Sequence, residues 1–131
     1  MAFRSVQLGS PRQRGEGIRL GTVRHPPRGV RKADYARGNH FDLWLPELAP
    51  SAALVSWIKA KPITPSRWAT FVRRYRREMA KPPASRLIAL LAALSRHANF
   101  SIGCYCDDAS HCHRTVLEEL LAGTLKGDSH S

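Results

Sequence analysis

Cysteine is scarce in this 131-residue chain, and the three that occur, Cys104, Cys106 and Cys112, sit in one short cluster. An odd number in one cluster fits a compartment that keeps thiols reduced better than it fits a disulfide scaffold, so the cytoplasm is the expected location. Long apolar runs are absent, so no stretch reads as a membrane span. The first sixteen residues contain Arg4, Arg12 and Arg14 but no apolar core, so they do not read as a secretory signal. Internal repeats and low-complexity linkers are missing too. So are helix-turn-helix, RNP, KH and zinc-finger signatures, which argues against sequence-specific reading of nucleic acid. Acidic residues are few: 10 Asp and Glu stand against 21 Lys and Arg, for a net charge of +11.

What is present fits one soluble α/β domain. At 43% hydrophobic and 24% charged the composition is that of an ordinary globular protein, and the length suits a single core. The positive charge is uneven. Residues 1–40 carry nine Arg and Lys against Glu16 and Asp34, residues 61–82 carry seven against Glu78, and residues 99–131 carry two against five acids. Such a balance suggests a polyanionic partner, either nucleic acid or a phosphorylated small molecule. A merely solubilising surface is the competing reading.

Residues 1–16, polar and rich in glycine, are expected to form a flexible basic arm. Ile18–Val23 alternates apolar and polar residues and reads as a strand. Arg24-His25-Pro26-Pro27-Arg28-Gly29 cannot continue it and forms a loop beyond its C-terminal end. His40–Leu45 reads as a second strand. A first helix opens at Pro50-Ser51 and closes at Lys61-Pro62. Thr64-Pro65 supplies an N-cap and a first-turn proline for a second helix. In it Trp68, Phe71, Val72, Tyr75 and Met79 form one apolar stripe, opposite Arg67, Arg73, Arg74, Arg76 and Arg77. A third helix reaches about His97. A last strand spans residues 99–105, and a last helix spans 112–122 with Gly123 as its stop. Strands separated by helices predict a small, mostly parallel sheet of about three strands with about four helices. That domain covers residues 17–123, leaving 124–131 as a tail. The tryptophans, Phe71 and Tyr75 read as packing residues.

Two stretches, taken with the second helix, resemble a known family. Thr22-Val23-Arg24-His25-Pro26-Pro27-Arg28-Gly29-Val30 looks like its first strand and Pro-Arg-Gly loop. Asp42-Leu43-Trp44-Leu45-Pro46-Glu47-Leu48-Ala49-Pro50-Ser51, the Trp68–Glu78 helix and Cys104…Cys112-His113-Arg114 follow in the family's order. The chain is similar to the domain of unknown function 488 family, which includes the YeaO-like proteins, over roughly residues 18–122. The resemblance implies a compact α/β domain and no particular activity. Family members often carry a glutamate two residues after the first cysteine. Cys106 stands at that position here, with Asp107 or Asp108 as possible substitutes.

The Cys104–Arg114 segment holds the densest chemistry. In open parallel sheets, ligands bind beyond the carboxyl ends of the strands. If strands 18–23 and 99–105 are neighbours, Arg24, His25 and Arg28 meet Cys106, Asp108, His111, Cys112, His113 and Arg114 there. Arg24, Arg28, Arg114 and His25 would bind an anion such as a phosphate. Cys112 precedes a helix, which favours a reactive thiol. Cys112, His113, Cys106 and Asp108 are then the candidate catalytic groups. Their spacing to Arg114 is not that of the tyrosine-phosphatase loop. No cofactor is required. A Zn²⁺ or iron–sulfur site on Cys104, Cys106, Cys112 and His113 is an alternative, although Cys104 and Cys106 on one straight strand lie too far apart to share an ion. A Cys106–Cys112 disulfide is another. A nucleic-acid-binding role would use Arg73, Arg74, Arg76 and Arg77. Bland readings compete throughout: Asp108 or Ser110 as a cap, Cys112 packed inward, and Arg114 paired with Glu118.

Overall fold

The computed structural model describes residues 3–106 and 108–129. Four parallel strands, β1 (Phe3–Gln7), β2 (Ile18–Gly21), β3 (Leu43–Trp44) and β4 (Phe100–Cys104), form one sheet in the order β1-β4-β2-β3. Four helices complete the α/β domain: α1 (Ala52–Lys59), α2 (Pro65–Met79), α3 (Ala84–Leu94) and α4 (His113–Ser129). No helix among the described residues is long and apolar enough to cross a membrane.

The period of two along each strand divides the sheet into two faces. Leu20, Phe100 and Ile102 join Leu54, Phe71, Tyr75, Met79, Ile88, Leu91, Leu117 and Leu121 in one apolar core beneath the helices. Burying each of the larger side chains contributes about 1.5–3 kcal/mol. Tyr75 is fully buried yet satisfied, because its hydroxyl donates to the Leu48 carbonyl at 2.7 Å. Burial pushes its pKa up, so it remains a donor.

The alternate residues, Arg19, Gly21, Ser101 and Gly103, face loops rather than helices. A Cβ on Gly103 would meet Leu8 at 2.5 Å, and one on Gly21 would strike the Phe41 ring. Arg19, wholly buried, donates through Nε and Nη2 to Glu16 at 2.7 and 2.9 Å. Its Nη1 donates to the carbonyls of Ser10 and Asn39. Ser101 Oγ donates to Glu16 at 2.8 Å. Segments 8–17 and 31–42 are thereby fastened over the second face.

Local chemistry sets the helix starts. Ser51 Oγ accepts from Leu54 N at 3.2 Å, and Thr64 Oγ1 accepts from Arg67 N at 3.1 Å. Glu78 reaches from α2 to the Ser51 backbone N–H and hydroxyl, tying α1 to α2.

The termini differ from the expected arm and tail. Phe3–Gln7 is β1, paired along β4 from Phe3↔Phe100 to Gln7↔Cys104. Phe3 stacks on Phe100 at 5.8 Å, Val6 and Leu8 are buried, and Glu118 accepts the Ser5 N–H at 2.8 Å. α4 passes through Gly123 to Ser129 instead of stopping there. A mid-helix glycine costs about 1 kcal/mol, which the preceding buried turns, with Leu117 and Leu121, can offset. Trp44 is more exposed than a packing residue should be, at 38%, with Nε1 donating to the Val23 carbonyl. His130 lies outside the described residues.

Candidate binding cleft and thiol cluster

β2 and β4 are hydrogen-bonded neighbours, with Leu20↔Ile102 and Gly21↔Gly103 in register. Both strands are parallel, so the loops that follow them leave from the same rim. Thr22 ties them together: its N–H and its Oγ1 both lie 2.9 Å from the Gly103 carbonyl. Between these loops and the α1–α2 turn opens a cleft of about 530 Å³. Val23, Arg24 and His25 line it from the β2 loop, and Tyr105, Cys106 and His111 line it from the β4 loop. Lys59, Lys61, Ile63 and Trp68 close the third side. Among the described residues that line it there is no carboxylate.

The predicted anion-binding residues divide. Arg24 lines the cleft but also anchors its wall, with Nε 3.1 Å from the Pro50 carbonyl and Nη2 3.2 Å from that of Ala49. His25 is exposed and lines the cleft, whereas Arg28, also exposed, is not among the lining residues. Arg114 is 5% exposed and braces the thiol loop. Its Nη1 donates to the carbonyls of Cys106 at 2.9 Å and Cys104 at 3.3 Å, and lies 3.7 Å from Cys104 Sγ. The expected Arg114–Glu118 pair does not form, since Glu118 faces β1.

His113 begins α4, is buried, and lies on the cleft floor. Its Nε2 is 2.6 Å from the Thr22 carbonyl and 3.2 Å from Thr22 Oγ1. A carbonyl can only accept, so Nε2 carries the proton and Nδ1 is the acceptor nitrogen. Burial pushes the imidazole pKa down to about 4, against the bond to Thr22, which raises it, and with a further downward push from Arg114. Asp108 does not join this group. It is exposed, it accepts from Ser110 N at 3.0 Å and from Ser110 Oγ, and it pairs with His111 at 3.2 Å. Asp107 lies outside the described residues.

The thiols converge. β4 ends at Cys104 and the chain bends, so Cys104 and Cys106 do not lie along one straight strand. The sulfurs of Cys104, Cys106 and Cys112 all fall within 4.8 Å of one another. Cys104 and Cys112 are paired sulfur to sulfur, with Cα atoms 7.8 Å apart. The alternative Cys106–Cys112 disulfide is therefore corrected: the partner of Cys112 is Cys104, and Cys106 is exposed. Cys104 and Cys112 are 2% and 1% exposed, on the cleft floor. His113, the fourth residue of the predicted metal set, is not in the three-sulfur group.

Residues 3–125 match the family model DUF488-N3a, described as the active DUF488-N3 subclade. The chain belongs to the DUF488 family. Neither the curated proteins nor the solved structures contain a match to it. In this DUF488 protein the arginine face of α2 is partly engaged already. Arg76 pairs with Glu119 at 2.8 Å, Arg74 lies over the Trp57 ring at 5.3 Å, and Arg73 reaches Thr70 at 3.4 Å, while Arg77 is exposed. Sequence reasoning missed Lys59, Lys61, Trp68 and Tyr105 as cleft residues. Tyr105, set between Cys104 and Cys106, carried no cleft signal of its own. The two lysines carried no signal beyond flanking a proline turn.

Proposed function

We propose that this DUF488 protein binds a phosphorylated, nucleotide-like small molecule in the cleft beyond β2 and β4 and acts on it there. The observation that carries the reading is the lining itself. Arg24, Lys59 and Lys61 bring positive charge to a cleft with no carboxylate among its described lining residues. Same-sign charge on low-dielectric walls concentrates anions. Trp68, Ile58 and Val55 add an apolar surface for a base or similar ring. His113 and the thiols would be the reactive groups on the floor. Membership in the active DUF488-N3 subclade supports catalysis rather than binding alone.

Equilibrium binding of the full chain to a nucleoside, its monophosphate and triphosphate, inorganic phosphate and a random single-stranded oligonucleotide tests this. The expected order is nucleotide above nucleoside and above phosphate alone. Lys59→Ala with Lys61→Ala should weaken nucleotide binding at least tenfold without changing the melting temperature, because both side chains are exposed. Binding of the oligonucleotide alone, abolished by replacing Arg73 and Arg77, would replace the small-molecule reading with a nucleic-acid one.

A further inference from the structure

Three sulfurs within 4.8 Å of one another, two buried on the cleft floor and one on the exposed β4 loop, form a ligand set whose fourth position is not filled by any His, Asp or Glu among the described residues. We propose that Cys104, Cys106 and Cys112, in the thiolate form, hold one Zn²⁺ ion with its fourth coordination position open to the cleft. The ion site stands on its own geometry. Only the ligand that would fill the open position, an anionic oxygen, rests on the function proposed above.

The distances suit an ion. Zn–S bonds of about 2.3 Å in a tetrahedral site hold sulfurs roughly 3.8 Å apart, a spacing the cluster reaches once the Cys104–Cys112 bond is reduced and its two sulfurs separate. Cys104 and Cys112 belong to different elements, the end of β4 and the residue before α4, and their Cα atoms are 7.8 Å apart. That exceeds the ~4.4–6.8 Å usual for a disulfide. Bridging through an ion spans more than a direct bond does.

The electrostatics point the same way. Arg114 is buried, its Nε has no hydrogen-bond partner, and no carboxylate among the described residues pairs with it. A buried guanidinium without a counter-charge is costly. Three thiolates on Zn²⁺ carry a net charge of −1 beside it. Through the Cys104 and Cys106 carbonyls and its 3.7 Å approach to Cys104 Sγ, Arg114 also fixes the ligands, as outer-shell donors do. His113 Nε2 is held by Thr22, and neither of its ring nitrogens falls within the three-sulfur group. Structural zinc sites close with four protein ligands, whereas three with an open position is the catalytic pattern. Thiolate ligands also select Zn²⁺ over Mg²⁺ or Ca²⁺.

The chemistry balances with a phosphine as reductant. Phosphorus donates two electrons to the Cys104–Cys112 bond and takes oxygen from water to become the phosphine oxide. The two protons of that water leave two thiols. Zn²⁺ then displaces three protons from the three thiols and forms three Zn–S bonds.

The test titrates the phosphine-reduced full chain, under argon, with Zn²⁺ and in parallel with Co²⁺. One equivalent should bind, releasing about three protons, and the Co²⁺ form should show thiolate-to-cobalt charge-transfer absorption and tetrahedral d–d bands. Cys106→Ser, at an exposed position, should weaken binding at least tenfold while leaving the circular dichroism spectrum unchanged. Inorganic phosphate should shift the d–d bands by occupying the open position. Failure of the reduced protein to bind Zn²⁺, or binding unaffected by Cys106→Ser, overturns the ion site. Bands insensitive to phosphate and chloride overturn the open position. Zinc binding without nucleotide binding leaves the ion site standing and removes the proposed function alone.

Discussion

Glu16 and Arg19 form a pair only 2% and 0% exposed, so their interaction is screened little by water. The guanidinium of Arg19 holds the Glu16 carboxyl down to about 2 from an ordinary 4.5, against desolvation, with help from the Ser101 hydroxyl. A carboxyl depressed on folding stabilises the folded state above its unfolded pKa and loses that contribution as pH falls through the folded one. The stabilisation from Glu16 is therefore complete above about pH 4.5 and drains away toward pH 2. Glu16→Gln leaves Arg19 buried without its counter-charge, which should cost about 3–5 kcal/mol at pH 7 and flatten the acid limb of a stability–pH curve measured by urea unfolding. Arg12→Ala breaks a pair in which both side chains are 31% exposed, and should cost no more than about 1 kcal/mol. Parallel curves for wild type and Glu16→Gln would contradict this account of the second sheet face.

Elements with local signals were legible from sequence. Thr64-Pro65 and Ser51 announced the helix starts, and the Trp68-Phe71-Tyr75-Met79 spacing announced the buried stripe of α2. β1 was not legible, because Arg4, Ser5 and Gln7 make it look like solvent-facing chain. It becomes a strand through partners far away in sequence: the β4 backbone, the Phe100 ring and the Glu118 carboxylate. The arrangement predicts that removing residues 1–8 does more than trim an arm. It uncovers the β4 edge and deletes Val6 and Leu8 from the core. The truncated chain should lose cooperative thermal unfolding and become sensitive to limited proteolysis throughout, whereas a flexible arm could be cut away with the melting temperature unchanged. The thiol cluster was half legible for a similar reason. The three cysteines were plain in the sequence, but their convergence depends on the chain bending where β4 ends at Cys104.

At the scale of the molecule, two of the places where the +11 charge gathers bear on function. One is the outer side of α2, where Arg74 and Arg76 already have partners on the chain itself. The other is the cleft, where the β2 loop, the β4 loop and the α1–α2 turn bring cations together over the thiols. The adjacency of β2 and β4 makes the cleft, and the sequence could pose it only as a condition. The α1–α2 turn could not be placed at all, since nothing in Lys59-Ala60-Lys61-Pro62 says which surface it folds over. Amide chemical-shift mapping of the full chain during titration with a nucleoside monophosphate tests the cleft most directly. Saturable shifts confined to Val23–His25, Lys59–Ile63 and Tyr105–His113 are the predicted result. Shifts centred on Arg73 and Arg77, or no saturable shifts at all, would contradict it.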